Sequence, residues 1–190
     1  MAEFHLLSGG YMRDDDRVGS TVSFVRDGNA LIVIDPGMVW SREAAILEPL
    51  AVLGIAPKDV TDVVLSHHHP DHTMNAALFP IARVHDHWAW YRDDLWTGRA
   101  AEGFRVSKSV LLLETPGHTP QDISTVVETD AGVVVFTHLW WTAEGPPEDP
   151  YAIDPETLHA NRERVLALDG LLTIVPGHGE PFTPDASTPR

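Results

Sequence analysis

The sequence predicts a single α/β domain in which two β-sheets pack face to face beneath outer helices, a four-layer αββα sandwich. Its 190 residues suit one domain that buries enough surface to fold unaided, and would cramp two. Short β-branched runs fall into two groups separated by helix-periodic stretches, an order that needs layers covering both faces of each sheet. No internal repeat, low-complexity tract or Gly/Ser-rich linker divides the chain. The pattern by itself leaves a doubly wound sheet open. The domain is expected over residues 1–182, with a loose tail over 183–190.

The elements follow in order. Val22 to Val25 and Leu31 to Ile34 are β-branched runs joined by Asp27-Gly28-Asn29, a turn sequence that makes them a hairpin. From Ser41 to Leu53 the apolar spacing becomes helical (Ala44, Ala45, Leu47, Leu50, Val52), with Ser41 placed to cap the start. Val63-Val64-Leu65 reads as a short buried strand, and a helix is expected after His72. Ile81 to Val84, Val110 to Leu113, Ser124 to Val127 and Val133 to Phe136 are further strand candidates. Asp154 to Leu168 is helix-periodic with an acidic start suited to the helix dipole, and Leu172 to Val175 is the last strand.

Composition narrows the function. Hydrophobic residues at 43% and charged residues at 22% are those of an ordinary globular protein. The chain has no cysteine, which excludes disulfides, thiolate metal sites and a cysteine nucleophile, so any metal must use nitrogen and oxygen ligands. The formal charge of −15 repels polyanions and argues against nucleic acid, although most of it serves solubility. The start, Met1-Ala2-Glu3-Phe4-His5, lacks the features of a signal peptide, and no apolar stretch approaches membrane-spanning length, so a cytoplasmic protein without membrane association is expected. No motif addresses assembly; a homodimer is compatible with the sequence.

The decisive stretch is Leu65-Ser66-His67-His68-His69-Pro70-Asp71-His72, which sets four histidines and a carboxylate at the end of a buried strand. Imidazole and carboxylate suit Zn²⁺ or Fe²⁺, and the alternate spacing of His67 and His69 points both the same way from an extended segment. Asp71 and His72 can face a second position. His118, His138 and His178 each follow a strand candidate, in Thr115-Pro116-Gly117-His118, Phe136-Thr137-His138 and Val175-Pro176-Gly177-His178-Gly179. Gly and Pro there permit tight turns and close backbone approach to an ion.

At these residues the sequence resembles the metallo-β-lactamase superfamily, as a small single-domain member similar to glyoxalase II-type hydrolases. The family pattern H-x-H-x-D-H is met by His67, His69, Asp71 and His72. The resemblance implies that His118 is the third ligand of a first metal and His178 the terminal ligand of a second. It runs in order and spacing from about Thr21 to His178. One departure matters: the bridging aspartate of the family is replaced in Thr137-His138-Leu139, where His138 aligns with it, Leu139 being the alternative alignment. A neutral imidazole does not bridge two cations as a carboxylate does, so the second metal is expected to be held less tightly. The expected cofactor is Zn²⁺, as one or two ions, with Fe²⁺ or Mn²⁺ as alternatives.

Asp35, in Ile34-Asp35-Pro36-Gly37, is expected to orient a ligand histidine, its plainer role being that of a turn former; Asp62 is a weaker candidate for the same support. His68 is expected to point away from the metal. His85 and His87 read as buried or surface residues that could also line a cleft, and His5 and His159 as surface residues. Trp140 and Trp141, with Trp88, Trp90, Tyr91 and Trp96, are either core or an aromatic substrate wall.

The chemistry expected is hydrolysis of a small acyl substrate (ester, thioester, lactone or amide) by water activated to hydroxide on the metal, with Asp71 as the catalytic residue that orients that water or shuttles its proton. A β-lactam fits less well, because the resemblance names a fold and not a substrate, and the sequence has no C-terminal helical substrate domain of the glyoxalase II kind. The alternatives are a phosphodiesterase or nuclease of the same superfamily, an iron-dependent (persulfide) dioxygenase, and a degenerate metal-binding domain.

Overall fold

The structure is a computed structural model, and it describes all 190 residues. Along the chain come β1 (Glu3–Ser8), β2 (Tyr11–Met12), β3 (Val18–Gly19), β4 (Val22–Asp27), β5 (Ala30–Ile34), α1 (Glu48–Val52), β6 (Asp62–Val64), α2 (Pro70–Thr73), β7 (Arg83–His85), β8 (Ala89–Arg92) and β9 (Leu95–Gly98). The second half holds β10 (Val110–Glu114), β11 (Ile123–Glu128), β12 (Val133–Thr137), α3 (Pro155–Leu166) and β13 (Leu171–Pro176). One sheet has seven strands in the order β1-β4-β5-β6-β7-β8-β9, the other four in the order β10-β11-β12-β13, and β2-β3 is a separate small hairpin.

Strand periodicity builds the layers. Successive side chains point to opposite faces of a strand, so neighbouring residues enter different cores. Val25, Ile32, Ile34 and Val64 of the first sheet meet Leu112, Val127, Val134 and Phe136 of the second in one buried cluster between the sheets. Phe24, Val33 and Val63 face the other way, onto Ala45, Ile46 and Leu50. Leu113, Val126, Val135 and Ile174 turn outward onto Leu158 and Val165 of α3. This alternation is the αββα sandwich.

Several elements differ from the sequence expectation. The stretch from Ser41 to Leu53 is a π-helical turn, Glu43–Leu47, continued by α1; Pro49 lies inside it and has no N–H to give. Ser41 Oγ does accept from the Ala44 N–H at 3.2 Å. The helix expected after His72 contains that residue, as α2, and a 3₁₀ turn, Ala76–Leu78, follows. The strand expected from Ile81 begins at Arg83, because Ile81 is an exposed turn residue. β1, β8 and β9 were not expected at all. The terminal residues 183–190 are tied to the domain: the Pro189 carbonyl accepts from Trp140 Nε1 at 2.8 Å, and Arg190 pairs with Glu163 at 2.9 Å.

No helix is long and apolar enough to cross a membrane. Loops after β6, β10, β12 and β13 gather at one edge of the sandwich, since β12 and β13 are parallel and β10 runs the same way two strands along.

Candidate metal centre

Each of those four loops delivers histidines to one point. His67 Nε2 lies 3.0 Å from His69 Nδ1, which lies 3.1 Å from His118 Nε2. Nitrogens bound tetrahedrally to zinc at about 2.05 Å stand about 3.3 Å apart, so these two spacings are close to those of a metal site, and all three nitrogens lie within 4.8 Å of one another. His69 Nδ1 cannot hydrogen-bond productively to both neighbours, whereas one cation satisfies all three. The group therefore fits a metal.

Asp71, His72 and His178 form a second group. Asp71 Oδ2 stands 3.6 Å from both His72 Nε2 and His178 Nε2. His72 is fully buried and its Nε2 has no hydrogen-bond partner, a costly state for a polar atom unless a ligand completes it. His138 sits between the two groups. Its ring centroid is 4.2 Å from that of His118 and 4.6 Å from that of His67, and its Nε2 lies 3.1 Å from His178 Nε2. Its Nδ1 is buried without a partner. Leu139, the alternative in the alignment, is packed in the outer core beside α3.

The far nitrogens are held as metal ligands require. His72 Nδ1 donates to Asp35 Oδ2 at 2.9 Å, His118 Nδ1 to Asp149 Oδ2 at 2.7 Å, and His178 Nδ1 to the Gly19 carbonyl at 3.1 Å. His67 Nδ1 lies 3.0 Å from Ser66 Oγ. Asp35 has φ 48°, a left-handed conformation uncommon outside glycine, and its Oδ1 accepts from the Ser66 N–H at 2.6 Å. One carboxylate thus braces both the loop after β6 and the ring of His72. At Gly37 an added Cβ would collide with the Asp71 carbonyl, so only glycine lets the loop after β5 lie against α2.

Burial sets the protonation states. Burial, then the neighbouring imidazoles, hold His67 and His138 well below the ordinary histidine value. His69 is lowered by the same two causes, and His178 is lowered to about 4, again chiefly by burial. Burial also opposes the charge of His72, but the Asp35 carboxylate outweighs it and raises that residue. Neutral imidazoles are the form that coordinates metal.

One expectation fails and one divides. Asp62 supports no cluster histidine: its carboxylate takes hydrogen bonds from Thr61, Arg83 and His85. The aromatics read as either core or substrate wall divide between the two: Trp141 lines the cleft and the others do not. Trp140 is a core residue, and Trp88, Trp90, Tyr91 and Trp96 lie on or beside the β8–β9 hairpin, outside the cleft. His68 turns away from the cluster to Asp86 at 3.0 Å.

The cleft over the cluster measures about 530 Å³. His69, Asp71, His118, His138 and His178 line it; Trp141 and Tyr151, stacked at 5.7 Å, add an apolar patch. The remaining lining comes from the β2–β3 hairpin, which carried no recognisable signal. Asp149 was missed as well: it lies in an irregular Pro-rich segment, and only the folded loop brings it to His118 and Trp141 Nε1.

Residues 15–180 match the family model of the metallo-beta-lactamase superfamily. The chain belongs to this superfamily. Metallo-beta-lactamase domain-containing protein 1 of Xenopus laevis is 33% identical over 94% of this chain and 80% of its own length. The human protein of that name is 38% identical over 80% of this chain but 59% of its own length. Solved structures agree on the metallo-β-lactamase fold. A Thermotoga maritima protein of metallo-beta-lactamase type has a TM-score of 0.74 at 24% identity, covering 96% of this chain and 99% of that one. AiiA of B. thuringiensis, crystallised with N-decanoyl-L-homoserine at its active site, has a TM-score of 0.69 at 20% identity, covering 93% of this chain and 92% of that one.

Proposed function

We propose that this chain is a metal-dependent hydrolase of small acyl substrates: esters, thioesters, lactones or amides. The observation that carries the proposal is the convergence of His67 Nε2, His69 Nδ1 and His118 Nε2 beneath an open cleft. A zinc ion held there would supply Lewis acidity, lowering the pKa of a water from 15.7 toward about 7. The protein's own groups do the rest. Asp149, Ser66 and Asp35 fix the rings, and the depressed histidines stay neutral at neutral pH. Asp71, half-buried at the cleft floor, orients the attacking water and takes its proton. Trp141 and Tyr151 receive the apolar part of the substrate. The water oxygen joins the acyl carbon, the bond from that carbon to oxygen, sulfur or nitrogen breaks, and the proton passes to the leaving group.

The experiment is turnover of an ester, thioester, lactone and amide panel by zinc-loaded protein and by His118→Ala. Cleavage of one class, abolished in the variant, supports the reading; no cleavage of any class by fully loaded protein refutes it.

A second reading has its own observation. Asp71, His72 and His178 are two histidines and one carboxylate, the donor set of non-haem iron oxygenases, and His138 leaves the centre with one carboxylate fewer than the family pattern. Oxygen uptake by iron-loaded protein with a persulfide substrate separates this dioxygenase reading from hydrolysis.

A further inference from the structure

The hairpin over the cleft carries charge that the metal chemistry does not use. Met12, Arg13, Asp16, Arg17 and Val18, all from β2, β3 and their turn, make up five of the twelve lining residues. The turn is closed by a hydrogen bond from the Arg13 N–H to the Arg17 carbonyl at 2.9 Å, and Asp16 sits at φ 62°. Its two arginines differ. Arg17 Nε is paired with Asp15 at 3.3 Å. Arg13 has no carboxylate within ion-pair distance; its guanidinium lies over the Tyr11 ring, 4.7 Å from the centroid.

Placing an unpaired guanidinium at a cleft mouth has a chemical meaning in a chain of charge −15 with thirteen cationic residues. Six of those cations are committed to carboxylates: Arg17, Arg26, Arg83, Arg105, Arg164 and Arg190. A neutral substrate would need only the apolar lining. A guanidinium stacked on an aromatic ring keeps its planar fork of N–H donors free, and that fork matches the paired oxygens of a carboxylate or phosphate. The surrounding negative field discourages polyanions, so the fitting ligand carries one local anionic group beside an apolar portion.

We infer that Arg13 is a specificity residue and that the cleft takes a small anionic substrate, whose carboxylate or phosphate is held by this guanidinium while its apolar part lies against Trp141 and Tyr151. As a statement of substrate class this rests on the hydrolase reading; the anion site itself can be tested by binding.

The test pairs binding with turnover in zinc-loaded protein. Calorimetry compares benzoate and phenyl phosphate with neutral benzamide, in the wild type, Arg13→Gln and Arg13→Lys. The preference for an anion over benzamide is expected to fall about tenfold in Arg13→Gln and to recover partly in Arg13→Lys; the tighter of the two anions identifies the group recognised. Anion binding to the metal alone would survive the substitution, so an unchanged preference in Arg13→Gln overturns the inference. The turnover arm uses phenyl acetate and para-carboxyphenyl acetate, and the ratio of kcat/KM for the charged over the neutral ester should fall by a similar factor. If neither ester, nor any other acyl substrate, is cleaved while the Arg13-dependent preference persists, the hydrolase reading fails and the anion site stands. Arg13 is exposed, so both variants should fold, which thermal melting verifies.

Discussion

At the scale of single residues, the centre is organised by what each imidazole does with its second nitrogen. His118 illustrates this: Nε2 faces His69 while Nδ1 is fixed by Asp149, which also holds Trp141. Removing a partner of this kind usually weakens metal affinity roughly 10–100-fold. Asp149→Ala is therefore expected to lower zinc affinity by that factor in a chelator competition, without the complete loss expected for His118→Ala. His138 tests the other end of the centre. It occupies the space between the two donor groups with an orphaned Nδ1, and an imidazole offers no bridging charge. His138→Asp should raise metal occupancy from about one toward two ions per chain; occupancy unchanged in elemental analysis would show that the missing carboxylate is not what limits the second ion.

At the scale of elements, the buried guanidinium of Arg162 on α3 holds the loops of the centre. It donates to the carbonyls of Leu139, Pro146 and Pro147 at 2.7–2.8 Å and lies over the Trp140 ring. These carbonyls belong to the segments that carry His138 and Asp149. Arg162→Met would leave three carbonyls without their partner, and is expected to cost about 3 kcal/mol or more in denaturant unfolding, with metal content falling alongside. The element scale also shows what the sequence could disclose. β4, β5, β6, β10, β11, β12 and β13 lie in largely buried apolar runs, leucine-rich in β10 and β-branched in most of the others, and that pattern announces them. The H-x-H-x-D-H cluster is compact enough to be seen directly, and the later histidines stand beside turn residues. β1 is mixed in polarity and mostly half-exposed, while β8 and β9 carry exposed aromatics that suggested a substrate wall. Asp149 and the β2–β3 hairpin reach the cleft only through tertiary folding of irregular segments, which no local pattern encodes.

At the scale of the whole molecule, the buried histidine cluster ties stability to pH. His67, His69, His138 and His178 all have folded values below the ordinary 6.5. For such a group, stability is complete above the unfolded value and is lost as pH falls toward the folded one, which for His178 is about 4. His72 and Asp122 act in the opposite sense. His72 is raised by Asp35 against the effect of burial, and Asp122 is raised to about 6 by burial; their contributions are present at low pH and fade as pH rises through the folded values. With His67 and His138 held well below the ordinary value and His178 at about 4, the lowered histidines set the sign, so metal-free protein should melt at a lower temperature at about pH 5 than at about pH 7. An equal or higher Tm at the acid end would contradict the dominance of the lowered histidines over the raised groups.

Metal content joins these scales most directly. Protein purified without added metal and analysed for its elements is expected to carry at least one equivalent of zinc or iron per chain, and His67→Ala, folded by circular dichroism, to carry none at the first site. Metal-free wild-type protein that takes up no zinc, iron or manganese when these are supplied would contradict the account.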